Sequence, residues 1–184
     1  MPTHVALLRG INVGGHNRVP MPELRTLMTE LGHTDVATYI QSGNAVFTSD
    51  EADTIKLADE LRQAIADQLS VDCGVVVITE AELQQVIDDN PFPAEDNPKA
   101  LHAVFRRAEL TADERAKITQ AQERAKAKGC QDEAVIVGRT MFLHTPDGLG
   151  RSELSAQLAR TAASKTGTAR NWATVRKLRA MLGA

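Results

Sequence analysis

Val36-Ala37-Thr38-Tyr39-Ile40-Gln41-Ser42-Gly43-Asn44-Ala45-Val46-Phe47-Thr48 reads as two strands folded back on one another. Residues 36–40 and 45–48 are rich in β-branched and aromatic side chains, and Ser42-Gly43-Asn44 supplies the turn between them. The flanks on both sides are helical in pattern. Upstream, Leu24, Leu27, Met28 and Leu31 recur at helical spacing after Pro22, which suits a first helical turn, and Gly32 stops the run. Downstream, Asp53 can cap a helix whose apolar stripe is Leu57, Ala58, Leu61, Ala64, Ile65 and Leu69. Apolar runs at 5–8 and 73–78 close the unit. The order β-α-β-β-α-β is the split βαβ, or ferredoxin-like, arrangement, which predicts a four-stranded antiparallel sheet with two helices on one face.

The rest of the chain nearly repeats this order. Thr79 with Glu82 has the spacing of a capping box for a short helix, and residues 90–98 hold three prolines that exclude regular structure. A strand follows at 101–105. Thr111 with Glu114 opens a helix to about Lys128, and a second hairpin turns at Gly138-Arg139. Ser152 caps a helix to about Ala163. A last helix runs from Asn171 to about Leu182, with Trp172, Val175, Leu178 and Leu182 inward. This gives β-α-β-β-α followed by a helix where the first half has its fourth strand. The expected class is α+β, with two ferredoxin-like subdomains and an extra C-terminal helix. The expected division is residues 1–79, a helix and Pro-rich connector at 80–98, and residues 99–184.

Of the 184 residues, 42% are hydrophobic but only one is Trp, one Tyr and four Phe, so the core is aliphatic and stacking platforms for nucleic-acid bases are few. The net charge of −3 is unevenly spread: residues 50–96 carry thirteen acids and two bases, residues 151–184 seven bases and one acid. Such segments either partly neutralise one another in the fold or steer an anionic partner to the basic end. There is no secretory pattern at the N-terminus and no run of about 20 apolar residues, which predicts a cytoplasmic protein with no membrane partner. Cys73 and Cys130 are isolated thiols, and Cys73 reads as a small core residue.

Several familiar chemistries are missing. Gly10-Ile11-Asn12-Val13-Gly14-Gly15 follows a strand and precedes a helix, but its spacing is not that of a dinucleotide fingerprint and no Gly-Lys-Ser/Thr follows. The five histidines and two cysteines form no metal-ligand spacing, and there is no nucleophile elbow. No nucleophile, general base, metal or cofactor is assigned from the sequence.

Ala6-Leu7-Leu8-Arg9-Gly10-Ile11-Asn12-Val13-Gly14-Gly15, then Val19-Pro20-Met21, then Thr38-Tyr39-Ile40-Gln41-Ser42-Gly43-Asn44 with Phe47, closely resemble the opening of a bacterial family named domain of unknown function 1697. Thr168-Ala169-Arg170-Asn171-Trp172-Ala173-Thr174-Val175 with Lys177-Leu178 is similar to its closing motif, with Ala173 where many relatives have Asn. Asn90-Pro91-Phe92 and Gly150-Arg151-Ser152 also fit, so the resemblance spans essentially the whole chain. It implies a soluble bacterial protein of two ferredoxin-like subdomains and implies no activity.

Topology nevertheless points to a location. With spatial strand order 4-1-3-2, strands 1 and 3 lie about 4.8 Å apart. The loop leaving strand 1 and the hairpin between strands 2 and 3 then share one end. Arg9, Asn12, Gly14 and Gly15 would meet Ser42 and Asn44 there. An arginine fork beside Gly-rich backbone suits a phosphate or carboxylate. The plain alternative is structural: glycines for positive φ, asparagines bonding the loop backbone, Arg9 paired with an acid. Arg170 and Asn171 form a second candidate, with Asn171 more simply a helix cap and Arg170 placed against the helix dipole unless it meets an anion. Arg106, Arg107 and Arg139 share one end of the second half and read as solvated surface arginines. The leading expectation is a small anionic ligand, phosphorylated compounds included. An RNA-binding module ranks below it, since no RNP-type strand is present. A structural or assembly role is the third reading.

Overall fold

The computed structural model describes residues 1–183, which divide into two units: residues 1–85 together with the segment from Arg176 onward, and Val86–Val175. In the first unit, β1 (His4–Arg9), α1 (Met21–Glu30), β2 (Thr34–Tyr39), β3 (Asn44–Thr48), α2 (Thr54–Leu69) and β4 (Gly74–Thr79) are followed by α3 (Glu80–Asp88). The sheet order is β2-β3-β1-β4, all neighbours antiparallel. This is the split βαβ sheet expected from the hairpin.

The local signals act as read. Asp53 accepts from the N–H groups of Ile55 and Lys56, starting α2. Thr79 and Glu82 exchange the two bonds of a capping box at α3. Gly32, at φ +90°, ends α1, and the following His33 N–H bonds back to the Met28 carbonyl.

The second unit holds β5 (Leu101–Arg106), α4 (Ala112–Ala127), β6 (Glu133–Val137), β7 (Thr140–His144), α5 (Glu153–Leu158) and β8 (Gly167–Asn171); α6 (Trp172–Leu182) follows, its first turn in this unit and the rest, from Arg176, in the first. Its sheet order is β6-β7-β5-β8. The expectation of a helix in place of a fourth strand is therefore corrected. Residues 167–171 form β8, antiparallel to β5, with Arg170 inside it. Gly-Thr-Ala-Arg-Asn carries little strand propensity and no apolar alternation. It is held by pairing with β5, a non-local contact that periodicity does not register. The helix begun by Ser152 is also shorter than expected: α5 ends at Leu158, and a short 3-10 turn covers Ala162–Lys165. Asn171 caps α6, its Oδ1 accepting the Thr174 N–H. Trp172 is buried and its ring lies 6.3 Å from Phe142.

Both faces of each sheet are buried. Ala6, Leu8, Ala45, Phe47, Val75 and Val77 pack with α1 and α2, while Val5, Leu7, Val46 and Val76 on the opposite face are buried too. In the second unit Val104, Met141 and Leu143 face α4 and α5, and Ala103, Phe105 and Phe142 fill the reverse side. Double-sided burial is why these strands read as continuous apolar runs rather than alternations.

Candidate functional site

The loop leaving β1 and the hairpin between β2 and β3 lie on one rim of the first sheet. Leu7 pairs with Asn44, and the Leu8 N–H donates to the Gly43 carbonyl at 2.8 Å. The loop itself is a miniature hairpin. Asn12 N–H bonds the Asn17 carbonyl, His16 N–H bonds the Val13 carbonyl, and Gly14 and Gly15 hold φ of +57° and +79° between them. Positive φ at both central residues defines this turn. A Cβ at either glycine would meet nothing within 4 Å, so these glycines serve the turn and not a close approach.

Asn12 is the clasp. Its Nδ2 donates to the Val19 and Gln41 carbonyls at 2.9 and 2.8 Å, and its Oδ1 accepts from the Val19 N–H at 2.9 Å. One amide thus closes its own loop and ties it to the hairpin 29 residues away. Asn44 is fully buried, and its Nδ2 donates to the Tyr39 carbonyl and to Ser42 Oγ, both at 3.0 Å. Asn12, Asn44 and Ser42 therefore hold the rim together from within. Ile40, β-branched yet at φ +50°, is a genuine backbone outlier in the same hairpin and half exposed.

What the rim presents outward is cationic. Arg9 is half-exposed, its stem lying against Gly74, where a Cβ would sit 3.4 Å from Arg9 Cβ. Among the described residues no hydrogen bond or ion pair holds its guanidinium. Arg18, exposed on the loop, is likewise unpaired there. Residues 2–22 and 36–49 contain no acid. Of the acids at this end of the sheet, Asp72 is bonded to Arg62 at 2.9 Å and Glu23 sits in the first turn of α1. The opposite rim carries Asp35, Asp50, Glu51, Glu80 and Glu82, so the sheet has a cationic and an anionic end. Arg18 was not singled out from the sequence, although the acid-free stretch around it was the available signal.

The other candidates have internal roles. Arg170 is buried in β8, its Nη1 donating to Thr168 Oγ1 and the Ala169 carbonyl, and burial lowers its pKa to about 10. Asn171 is the α6 cap. Of the three arginines read as solvated, Arg106 is buried, while Arg107 and Arg139 are half-buried, with Arg139 Nη1 donating to the Arg107 carbonyl at 3.2 Å.

Elsewhere in the second unit, buried Asp132 accepts from the Cys130 thiol at 2.9 Å and the Ser152 hydroxyl at 2.6 Å. Ser152 Oγ simultaneously caps α5 through the Ser155 N–H, which makes this cluster a brace between turn and helix. His144 bonds Glu95 at 2.6 Å and stacks on Phe92, pinning the Pro-rich segment to β7. That bond and the Asn97 N–H hold the Glu95 carboxyl below its ordinary range. Among the described residues no three His, Cys, Asp or Glu side chains converge as metal ligands, and no helix is long and apolar enough to cross a membrane.

A comparison with curated proteins returns no match. Among solved structures, a conserved bacterial protein, SP0830 from Streptococcus pneumoniae, is similar over 98% of both chains, with a TM-score of 0.76 at 24% identity. That likeness is one of fold. The profile of a protein family of unknown function, DUF1697, matches residues 1–140, and the chain belongs to that family.

Proposed function

We infer that the chain binds a small anion, phosphorylated compounds included, at the cationic rim of the first sheet. Arg9 supplies the fork, with Arg18 beside it. Gly14 and Gly15 shape the loop, and Asn12, Ser42 and Asn44 fix its position. The observation that carries this reading is the pair of guanidinium groups without carboxylate partners on a rim whose other polar side chains are spent on holding it rigid. Pre-organisation of that kind lowers the cost of ordering a site on binding, and guanidinium geometry matches phosphate and carboxylate oxygens. The backbone outlier at Ile40 fits a hairpin conformation kept for a use other than stability. Arg170 and Asn171 are engaged within the second unit, and the reading stands on first-unit residues alone.

The test is titration of the full chain with pyrophosphate, followed by calorimetry. The Arg9→Ala variant is expected to bind about tenfold or more weakly, the loss of one charge-assisted contact. Unchanged affinity in that variant overturns the reading. So does tighter binding to single-stranded RNA with a log–log salt slope proportional to the phosphates contacted, which belongs to a nucleic-acid module. Burial of both faces of each sheet argues against that module, because base stacking on such a sheet needs an open face.

A further inference from the structure

The helix ahead of the last strand differs between the two units. α2, which precedes β4, is 16 residues long. α5, which precedes β8, has six and gives way to the 3-10 turn at Ala162–Lys165. The strands differ in the same sense. On the helix side of β4, Val75 and Val77 lie opposite Leu8 and Ala6. At the matching places in β8, Gly167 and Ala169 lie opposite Arg106 and Val104. Val77 is 2% exposed, whereas Ala169 is open to solvent. A shorter cover over smaller side chains leaves space in the second unit where the first is filled.

That space is a cavity of about 180 Å³. Its inner wall is apolar, made by the buried Val104, Ile118, Met141, Leu143 and Leu158. Its solvent side, bordered by the exposed Ala159 and Ala169, carries the hydroxyls of Ser155, Thr161 and Ser164, all half-buried. Thr161 Oγ1 donates to the Leu158 carbonyl at 2.7 Å, and Ser164 Oγ to the Thr161 carbonyl at 2.8 Å. Their protons are spent and their oxygens remain acceptors. The Ser155 backbone N–H is held by Ser152 Oγ, but among the described residues nothing bonds the Ser155 hydroxyl, which can donate or accept. Arg106 also lines the cavity, with its Nη1 bonded to Thr166 Oγ1 at 2.7 Å. It belongs to the wall, and its charge excludes a cation.

The cavity is thus apolar within and hydroxyl-lined at its opening. Hydroxyls of this kind match a neutral polar group, while a sugar or a phosphate would leave several polar atoms against the apolar wall without partners. The volume suits one ring, since a cavity of about 150 Å³ holds benzene. We propose that this cavity binds a small uncharged phenol or alcohol, one ring in size, with its hydroxyl at Ser155 and its hydrocarbon against Met141, Leu143 and Leu158. The site lies within the second unit and is independent of the cationic rim of the first.

The probe is 4-methylphenol, with toluene as the same ring without the hydroxyl, followed by methyl NMR on the full chain. 4-Methylphenol is expected to shift the methyls of Met141, Leu143, Leu158 and Ala163 saturably, and to bind at least as tightly as toluene. A cavity without a hydroxyl partner ranks the two the other way, because the phenol then loses its bonds to water unreplaced. Ser155→Ala is expected to weaken 4-methylphenol about three- to tenfold, the range for one neutral hydrogen bond, and to leave toluene unchanged. Ala169→Val puts back the side chain that β4 has at this place and is expected to weaken both ligands about tenfold or more. The two-ligand comparison on the unaltered chain decides the matter should a variant not fold. Absence of saturable shifts at those methyls, tighter binding of toluene, equal loss of both ligands in Ser155→Ala, undiminished binding in Ala169→Val, or tighter binding of 4-methylbenzoate than of 4-methylphenol overturns the proposal.

Discussion

Replacing Gly43 with alanine tests the close approach that builds the rim. Gly43 sits at φ +82°, and a Cβ there would lie 2.7 Å from both Ile11 Cδ1 and Leu8 Cβ. Two costs follow. An alanine in the left-handed region costs about 1–2 kcal/mol, and forcing a methyl into a packed contact costs about 1–3 kcal/mol more. Leu8 Cβ is held in place by the strand Cα it is bonded to and cannot swing away, so the second cost is not avoided by a rotamer change. The sum is about 2–5 kcal/mol, a urea-midpoint shift of the order of 1–2 M at an ordinary m-value. Gly14→Ala is the control. It has the same sign of φ, at +57°, and open space around its Cβ. That change is expected to cost only the left-handed term, about 1–2 kcal/mol. Urea unfolding by far-UV circular dichroism gives the comparison, with Trp172 fluorescence reporting the second unit. If Gly43→Ala destabilises no more than Gly14→Ala, the hairpin does not press on β1 as described and the shared rim is refuted.

Stability is expected to fall as the pH drops below about 6.5. Burial holds His4, His33 and His102 below the ordinary histidine value. The unfolded chain therefore takes up protons near pH 6.5 that the folded chain refuses until lower pH, at up to about 1.4 kcal/mol per pH unit for each histidine. The Glu82 and Glu60 charges near His4 and His33 oppose but do not cancel this, and a urea midpoint flat between pH 7.5 and 5.5 contradicts it. Cys73, buried and with its thiol pushed up to about 11, is expected to react with a disulfide reagent at pH 8 about two orders of magnitude more slowly than in the unfolded chain, from its thiolate fraction alone. Labelling of Cys73 at the unfolded rate refutes that assignment.

The first sheet was legible because its signals are local and agree: a hairpin turn between two strands, flanked by capped helices with clean apolar stripes. The rim followed from topology, since strand order alone brings the β1 loop to the 40–43 turn. β8 was not legible, because its five residues have neither propensity nor alternation and exist as a strand only through β5. Nor could the sequence separate roles within the motif Arg9 to Asn44. Asn12 and Asn44 are polar residues in Gly-rich bends, the pattern expected of ligand contacts and of loop clasps alike. Only the directions of their hydrogen bonds show that the amides are spent internally.

Arg9 and Arg106 state the difficulty most sharply. Each ends the first strand of its sheet, six residues long, and each lies opposite a glycine that opens the fourth strand, Gly74 or Gly167. By sequence they are the same feature twice. Strand side chains alternate between faces, so a shift of one residue in the packed register exchanges the two sides. In the first unit the helices cover Ala6 and Leu8, which leaves Arg9 on the other face at the sheet's end. In the second they cover Val104, which carries Arg106 inward beneath α5. The same arginine–glycine pair thus makes a surface cation in one unit and a buried one beside a cavity in the other.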